Sequence, residues 1–89
     1  MARKLSLTND AQKFLDRLDA KQYRQVVRRI LALTSDATPS DSIKMTGSEH
    51  HRVDQGEYRI VYFFDTDTVY IVVVGKRNDD DVYARARRK

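Results

Sequence analysis

The sequence predicts an α+β fold. A short N-terminal strand precedes an antiparallel helix pair, which packs on a mainly antiparallel, twisted sheet of about four strands, and a short helix closes the chain. Three observations predict it. Apolar residues recur at helical spacing from Ala11 to Leu31, the period drops to two from Glu49 onward, and Gly56 and the Asp65-Thr66-Asp67 run punctuate that second region as turns.

Each element has a local cause. Leu5 and Leu7 alternate with polar residues, which gives a strand one buried face. Thr8 or Asn9 offers an N-cap, and Ala11, Phe14, Leu15 and Leu18 form one helical stripe. Asp19 with Gln22 resembles a capping box for a second helix, whose stripe is Tyr23, Val26, Val27, Ile30 and Leu31. Its outer face is basic, with Lys21, Arg24, Arg28 and Arg29 and no acidic residue between Ala20 and Ser35. Ser35 to Ser48 contains the lone proline and reads as a loop. Strands follow at 49–54, 57–64 and 68–76, the last apolar on both faces and therefore interior. Asn78 caps the final helix. Asp79, Asp80 and Asp81 suit its positive end, and Arg85, Arg87, Arg88 and Lys89 its negative end. Capping explains the three aspartates without a metal.

Composition narrows the function. The 89 residues suffice for one domain, spanning 1–89. A chain this short buries only about 60% of its unfolded surface, so a reactive site is expected on a surface groove rather than in an enclosed pocket. Cysteine is absent, which removes disulfides, thiolate nucleophiles and Cys-ligated zinc. No run is long and apolar enough for a membrane span and residues 1–7 lack a signal-peptide core, so a cytoplasmic protein is expected. Lys and Arg number 17 against 13 Asp and Glu, a net charge of +4, and the excess lies in the first half. Arginine outnumbers lysine, and its planar fork suits phosphate. A polyanionic partner is expected.

Register then predicts which side chains meet. A two-residue turn at Gln55-Gly56 pairs Asp54 with Glu57 and Arg52 with Arg59. A three-residue turn at Asp65-Thr66-Asp67 sets Arg59 opposite Val73, with Arg77 further along the same face. One face thus gathers His50, Arg52, Asp54, Glu57, Arg59 and Arg77. The other gathers Val53, Tyr58, Ile60, Tyr62, Phe64, Tyr70, Val72 and Val74 against the helices. Three arginines on one patch either are neutralised by Asp54 and Glu57 or await an anion such as a phosphodiester.

The run Arg52-Val53-Asp54-Gln55-Gly56-Glu57-Tyr58-Arg59-Ile60-Val61-Tyr62, then Val73-Val74-Gly75-Lys76-Arg77, then Val82-Tyr83, resembles the RelE/ParE superfamily of type II toxin–antitoxin systems, and its RelE branch above all. The resemblance spans nearly the whole chain. It implies a ribosome-dependent endoribonuclease that cuts messenger RNA in the A site by attack of a 2′-hydroxyl, leaving a 2′,3′-cyclic phosphate and a 5′-hydroxyl, with no cofactor. By the same resemblance, Arg59 contacts the scissile phosphate, Arg77 stabilises the transition state or leaving group, Tyr83 stacks on or orients a base, and Arg52 is the first of two basic residues on the preceding strand. The second of those positions holds Asp54. Asp54, His50 and Glu57 are then the candidate general bases. Lys44, Lys76, Arg24, Arg28, Arg85 and Arg88 are the expected RNA contacts. The implied partners are a cognate antitoxin, the ribosome and its message, within a heterotetramer or larger complex that meets operator DNA through the antitoxin, and no membrane. Two alternatives are a ParE-like, non-catalytic gyrase inhibitor and a non-enzymatic RNA-binding domain. The latter would expose aromatic residues on a strand face.

Overall fold

The computed structural model describes residues 2–78, 82, 85 and 86. The elements run β1 (Lys4–Leu7), α1 (Asn9–Asp16), α2 (Ala20–Ser35), β2 (Ile43–Lys44), β3 (His51–Gln55), β4 (Tyr58–Phe64) and β5 (Thr68–Lys76). The sheet has five strands in the order β1-β5-β4-β3-β2, one more than expected. The additional strand is β2, two residues inside the predicted loop, paired with Arg52 and His51. So short a strand leaves no periodicity to read. All neighbours are antiparallel except β1 and β5, which run parallel.

The helices start where their caps direct. The Thr8 hydroxyl accepts from the Ala11 amide at 3.1 Å, and the Asp19 carboxylate accepts from the Gln22 amide at 2.8 Å. Gln22 does not complete a capping box; its side-chain oxygen accepts from the Tyr58 hydroxyl. The buried stripe of α2 is Val26, Ile30 and Leu33. Tyr23 and Leu31, expected in the core, are 43% and 51% exposed. The stripe is rotated towards Leu33, which stands three residues after Ile30 and seven after Val26.

Two apolar clusters sandwich the sheet. The larger unites Ala11, Leu15, Val26, Ile30 and Leu33 of the helices with Val53, Tyr58, Ile60, Tyr62, Val69, Ile71 and Val74 of the sheet. The smaller lies on the opposite face and joins Val61, Val72 and Val73 to Val82 and Ala86, with Met45 and Phe63 at its margin. The C-terminal segment therefore covers the face that the helices leave open. Val82, Arg85 and Ala86 are helical, as expected there.

Both hairpins differ in register from expectation, yet the faces come out nearly as expected. In the first, Gln55 pairs with Tyr58, Gly56 has φ +59° and, among the described residues, no other residue type has positive φ, so glycine holds the first central position of the turn. This sign pattern suits a type II′ turn. It moves the turn to Gly56-Glu57 and pairs Asp54 with Arg59 and Arg52 with Val61. Pairs slide by one residue on each strand, so each side chain keeps its face. In the second hairpin the Asp65 carboxylate accepts from both the Asp67 and Thr68 amides, and Phe64 pairs with Val69. The connection is one residue longer than expected. Alone, that would put Arg77 on the face opposite Arg59. An irregularity restores the parity: Tyr62 faces Ile71 but Val61 faces Val73, leaving Val72 as an extra residue. The Val72 carbonyl accepts from the Thr8 hydroxyl, so the cap of α1 also fastens the bulge. Tyr70 and Val72 consequently leave the helix-covered face, where Val69 and Ile71 replace them.

Candidate functional site

At the β3–β4 turn end of the sheet, on the face away from the helices, the strands deliver an arginine cluster around one carboxylate. Asp54 and Arg59 are directly paired across β3 and β4. The Arg59 guanidinium donates from Nε to Asp54 Oδ1 at 2.8 Å and from Nη2 to Oδ2 at 3.2 Å, a two-pronged contact. Gly75 lies opposite Arg59, and Arg77, two residues on, returns to the same face. The Arg77 amide donates to the Glu57 carbonyl at 2.9 Å, which extends the ladder past the end of β5.

The electrostatics register the convergence. Hydrogen bonds from Arg59 hold the Asp54 carboxyl below its ordinary value of 3.8; partial burial opposes this, and the charges of Arg59, Arg52 and Arg77 add to it. Three guanidiniums from three chain segments thus act on one carboxylate. Arg59 is the more enclosed of the pair, 14% exposed at its side chain against 35% for Asp54. An aspartate so stabilised stays ionised and is a weak proton acceptor.

The sign of the pH dependence follows. Asp54 binds its proton more weakly folded than unfolded, so its contribution to stability is present above its ordinary value and is lost as pH falls through the depressed one. We expect Asp54→Asn to lower the urea midpoint at pH 7 by an amount equivalent to no more than about 1 kcal/mol, given the exposure of the carboxylate. The difference between the two proteins should persist down to the ordinary value of 3.8 and shrink as pH falls further. A difference unchanged at pH 2 would mean that the ion pair is not its source.

Apart from Glu57 and Lys76, which share a cleft with Arg77, the other candidates separate from this cluster. His50 shares the face, but it lies four residues of extended chain, about 13 Å, from Asp54, with its ring against Phe63 at 5.9 Å. Its neighbour His51, unmarked in the sequence, points to the helix side against Tyr62 and Phe64. Glu57 is exposed and lines an open cleft with Lys76, Arg77 and Asn78. By register Lys76 pairs with Tyr58 and Lys44 with His51, which places both on the helix side. Arg24 and Arg28 are exposed on α2, across the sheet from the cluster. Their neighbour Arg29 is not part of an open basic face, because it pairs with Asp41 of the following loop. Arg85 serves the fold: it donates to Asp10 at 2.8 Å and to the Val74 carbonyl at 3.1 Å, and lies over the Phe14 ring. Tyr83 and Arg88 lie outside the described residues, as do Asp79, Asp80, Asp81 and Arg87.

Aromatic side chains also occupy the arginine face. Phe63 and Tyr70 stack across β4 and β5 with centroids 4.6 Å apart, at the far end from Arg59. Sequence reasoning missed this pair because the longer connection at Asp65–Thr68 reverses the side that Tyr70 takes. Among the described residues no three His, Asp or Glu side chains gather as a metal-binding group, and no helix is long and apolar enough to cross a membrane.

Comparison with known proteins gives the fold relatives. Residues 5–81 match the family described as the ParE toxin of type II toxin–antitoxin system, parDE. A doubly substituted form of the E. coli toxin RelE in the free state superposes with a TM-score of 0.82 at 21% identity, covering 99% of this chain and 97% of that one. The RelBE2 toxin–antitoxin complex from Mycobacterium tuberculosis gives 0.73 at 21% identity, over 89% of this chain and 95% of that one. The archaeal RelE–RelB complex from Pyrococcus horikoshii gives 0.75 at 22%, over 88% and 98%. Among curated proteins, none matches the sequence.

Proposed function

We propose a nuclease reading for this chain, which belongs to the ParE toxin family of type II toxin–antitoxin systems, within the RelE/ParE superfamily. The protein is a ribosome-dependent endoribonuclease that cuts messenger RNA in the A site, acts in the cytoplasm and is neutralised by a cognate antitoxin. The observation that carries this reading is that register sets Arg52, Arg59 and Arg77 on one face of the sheet around Asp54, with Arg59 gripping that carboxylate by two donors.

The chemistry follows from that geometry. The scissile phosphate lies against Arg59, whose fork can donate to both non-bridging oxygens. As the 2′-oxygen bonds to phosphorus and gives its proton to Glu57 or to solvent water, the phosphoryl oxygens gain charge, which Arg59 and Arg52 stabilise. The bond to the 5′-oxygen then breaks, Arg77 stabilises the leaving oxygen until it takes a proton from water, and a cyclic phosphate and a 5′-hydroxyl result. Tyr83 orients or stacks on a base. Asp54 is too weak a base to drive the step and His50 stands too far away. Glu57, in the cleft beside Arg77, is the candidate base that remains, and positioning and charge stabilisation supply the rest of the rate enhancement.

The antitoxin is a protein whose acidic character would complement the +4 charge of this chain. The membership of a higher complex that meets operator DNA through the antitoxin belongs to the same reading. A second reading, non-catalytic inhibition of DNA gyrase, draws on the ParE description of the family and on the closure of Arg59 by Asp54.

Expression of the chain without its partner, with message breaks mapped in translating cells, separates the two. Codon-phased breaks are expected. Intact messages accompanied by altered DNA supercoiling would favour gyrase.

A further inference from the structure

We propose that Asp54 is an internal competitor for RNA phosphate, its carboxylate filling the Arg59 fork until a polyanion with additional contacts displaces it. This rests on the reading above only in that the arginine face meets RNA.

Both Asp54 oxygens are taken up by two donors of one guanidinium, at 2.8 and 3.2 Å. Those are the donors that a phosphate would use in a side-on, two-pronged contact. One fork cannot serve two anions, and a carboxylate beside a phosphodiester adds repulsion. Phosphate entry therefore requires the Asp54 side chain to leave. The strand geometry permits it: Asp54 is the more exposed partner, and a rotation of its side chain leaves the β3–β4 ladder unchanged.

The pairing is positional. Asp54 and Arg59 are register partners next to a tight turn, so the carboxylate is presented to the fork at high local concentration. An isolated phosphate must compete against it. A backbone that also reaches Arg52 and Arg77 gains contacts that Asp54 cannot satisfy alone. The consequence is a threshold: RNA held in place by another body is engaged, and loose RNA is bound weakly.

The test measures binding of the full chain to a single-stranded oligoribonucleotide carrying 2′-O-methyl groups throughout, which cannot be cleaved by 2′-attack. Fluorescence anisotropy is recorded over a range of salt. Asp54→Asn should bind about ten-fold tighter, with the slope of log affinity against log salt steeper by about 0.7, as for one more neutralised phosphate on a single strand. Asp54→Glu, which keeps the charge, should bind like the parent. Asp54→Ser should reproduce the gain, in case the Asn amide oxygen still accepts from Arg59. In the Arg59→Ala background, Asp54→Asn should give a much smaller gain, the relief of repulsion alone. Unchanged or weaker binding in both neutral variants would overturn the proposal, as would a gain of the same size without Arg59. If the neutral variants bind more tightly yet neither they nor the parent cut ribosome-bound messages, the nuclease reading fails while this inference stands.

Discussion

Arg59→Ala should lower the rate of message cleavage on programmed ribosomes by about 10²–10³-fold, the loss typical of removing one donor aimed at developing transition-state charge. Arg59 is the best placed of the three arginines, its guanidinium enclosed at the centre of the cluster and already aligned with an anion. The effect should fall on the single-turnover rate at saturating enzyme more than on ribosome binding. Stability should change little, because the ion pair lost is partly solvated and its partner Asp54 retains the fields of Arg52 and Arg77. Lost cleavage with an unaltered unfolding midpoint assigns the defect to chemistry. Lost cleavage with an equal fall in midpoint would assign it to folding.

Gly75→Ala should destabilise the protein by about 1–3 kcal/mol, the usual cost of forcing a methyl group into a packed interior. A Cβ at Gly75 would stand 2.4 Å from Val82 Cγ2 and 2.6 Å from Arg85 Nη2. Neither neighbour yields freely: Val82 is fully buried in the smaller cluster, and Arg85 is tied to Asp10 and to the Val74 carbonyl. The C-terminal segment would have to lift, baring Val61, Val72 and Val73. Urea unfolding measures the cost, and proteolysis at the C-terminal arginines reports the lifting. A midpoint equal to that of the parent would show that the segment is not packed against Gly75. The requirement at this position is space, since no positive φ is recorded for it.

The fold was legible wherever one side-chain period ran for several residues. The apolar runs of β4 and β5 and the helical stripes of α1 and α2 carry their own geometry, and the caps at Thr8 and Asp19 mark where the helices begin. What escaped depends on contacts between segments. β2 exists because His51 and Arg52 offer an edge to pair with, which Ile43-Lys44 alone does not announce. The rotation of α2 towards Leu33 is decided by the sheet beneath it.

The arginine cluster was legible for a subtler reason. Sliding the first turn by one residue preserves side-chain parity, so Arg52, Asp54 and Arg59 share a face in either register. Arg77 joins them because two departures cancel, a longer connection at Asp65–Thr68 and an extra residue at Val72. The direct partner of Arg59 was not legible: Asp54 faces it in place of Arg52, and this follows from Gly56 taking the first central position of its turn. Arg85 has the composition of an RNA contact and the geometry of a clamp, which only the position of Asp10 reveals.

The most direct measurement is the chemistry of the cut ends when the purified chain acts on ribosomes stalled at a defined codon. A 2′,3′-cyclic phosphate upstream and a 5′-hydroxyl downstream, both absent when Arg59 or Arg77 is alanine, are the predicted result. A 5′-phosphate with a free 3′-hydroxyl, or a message left whole by the parent protein, would contradict the assignment of this arginine face to an RNA linkage.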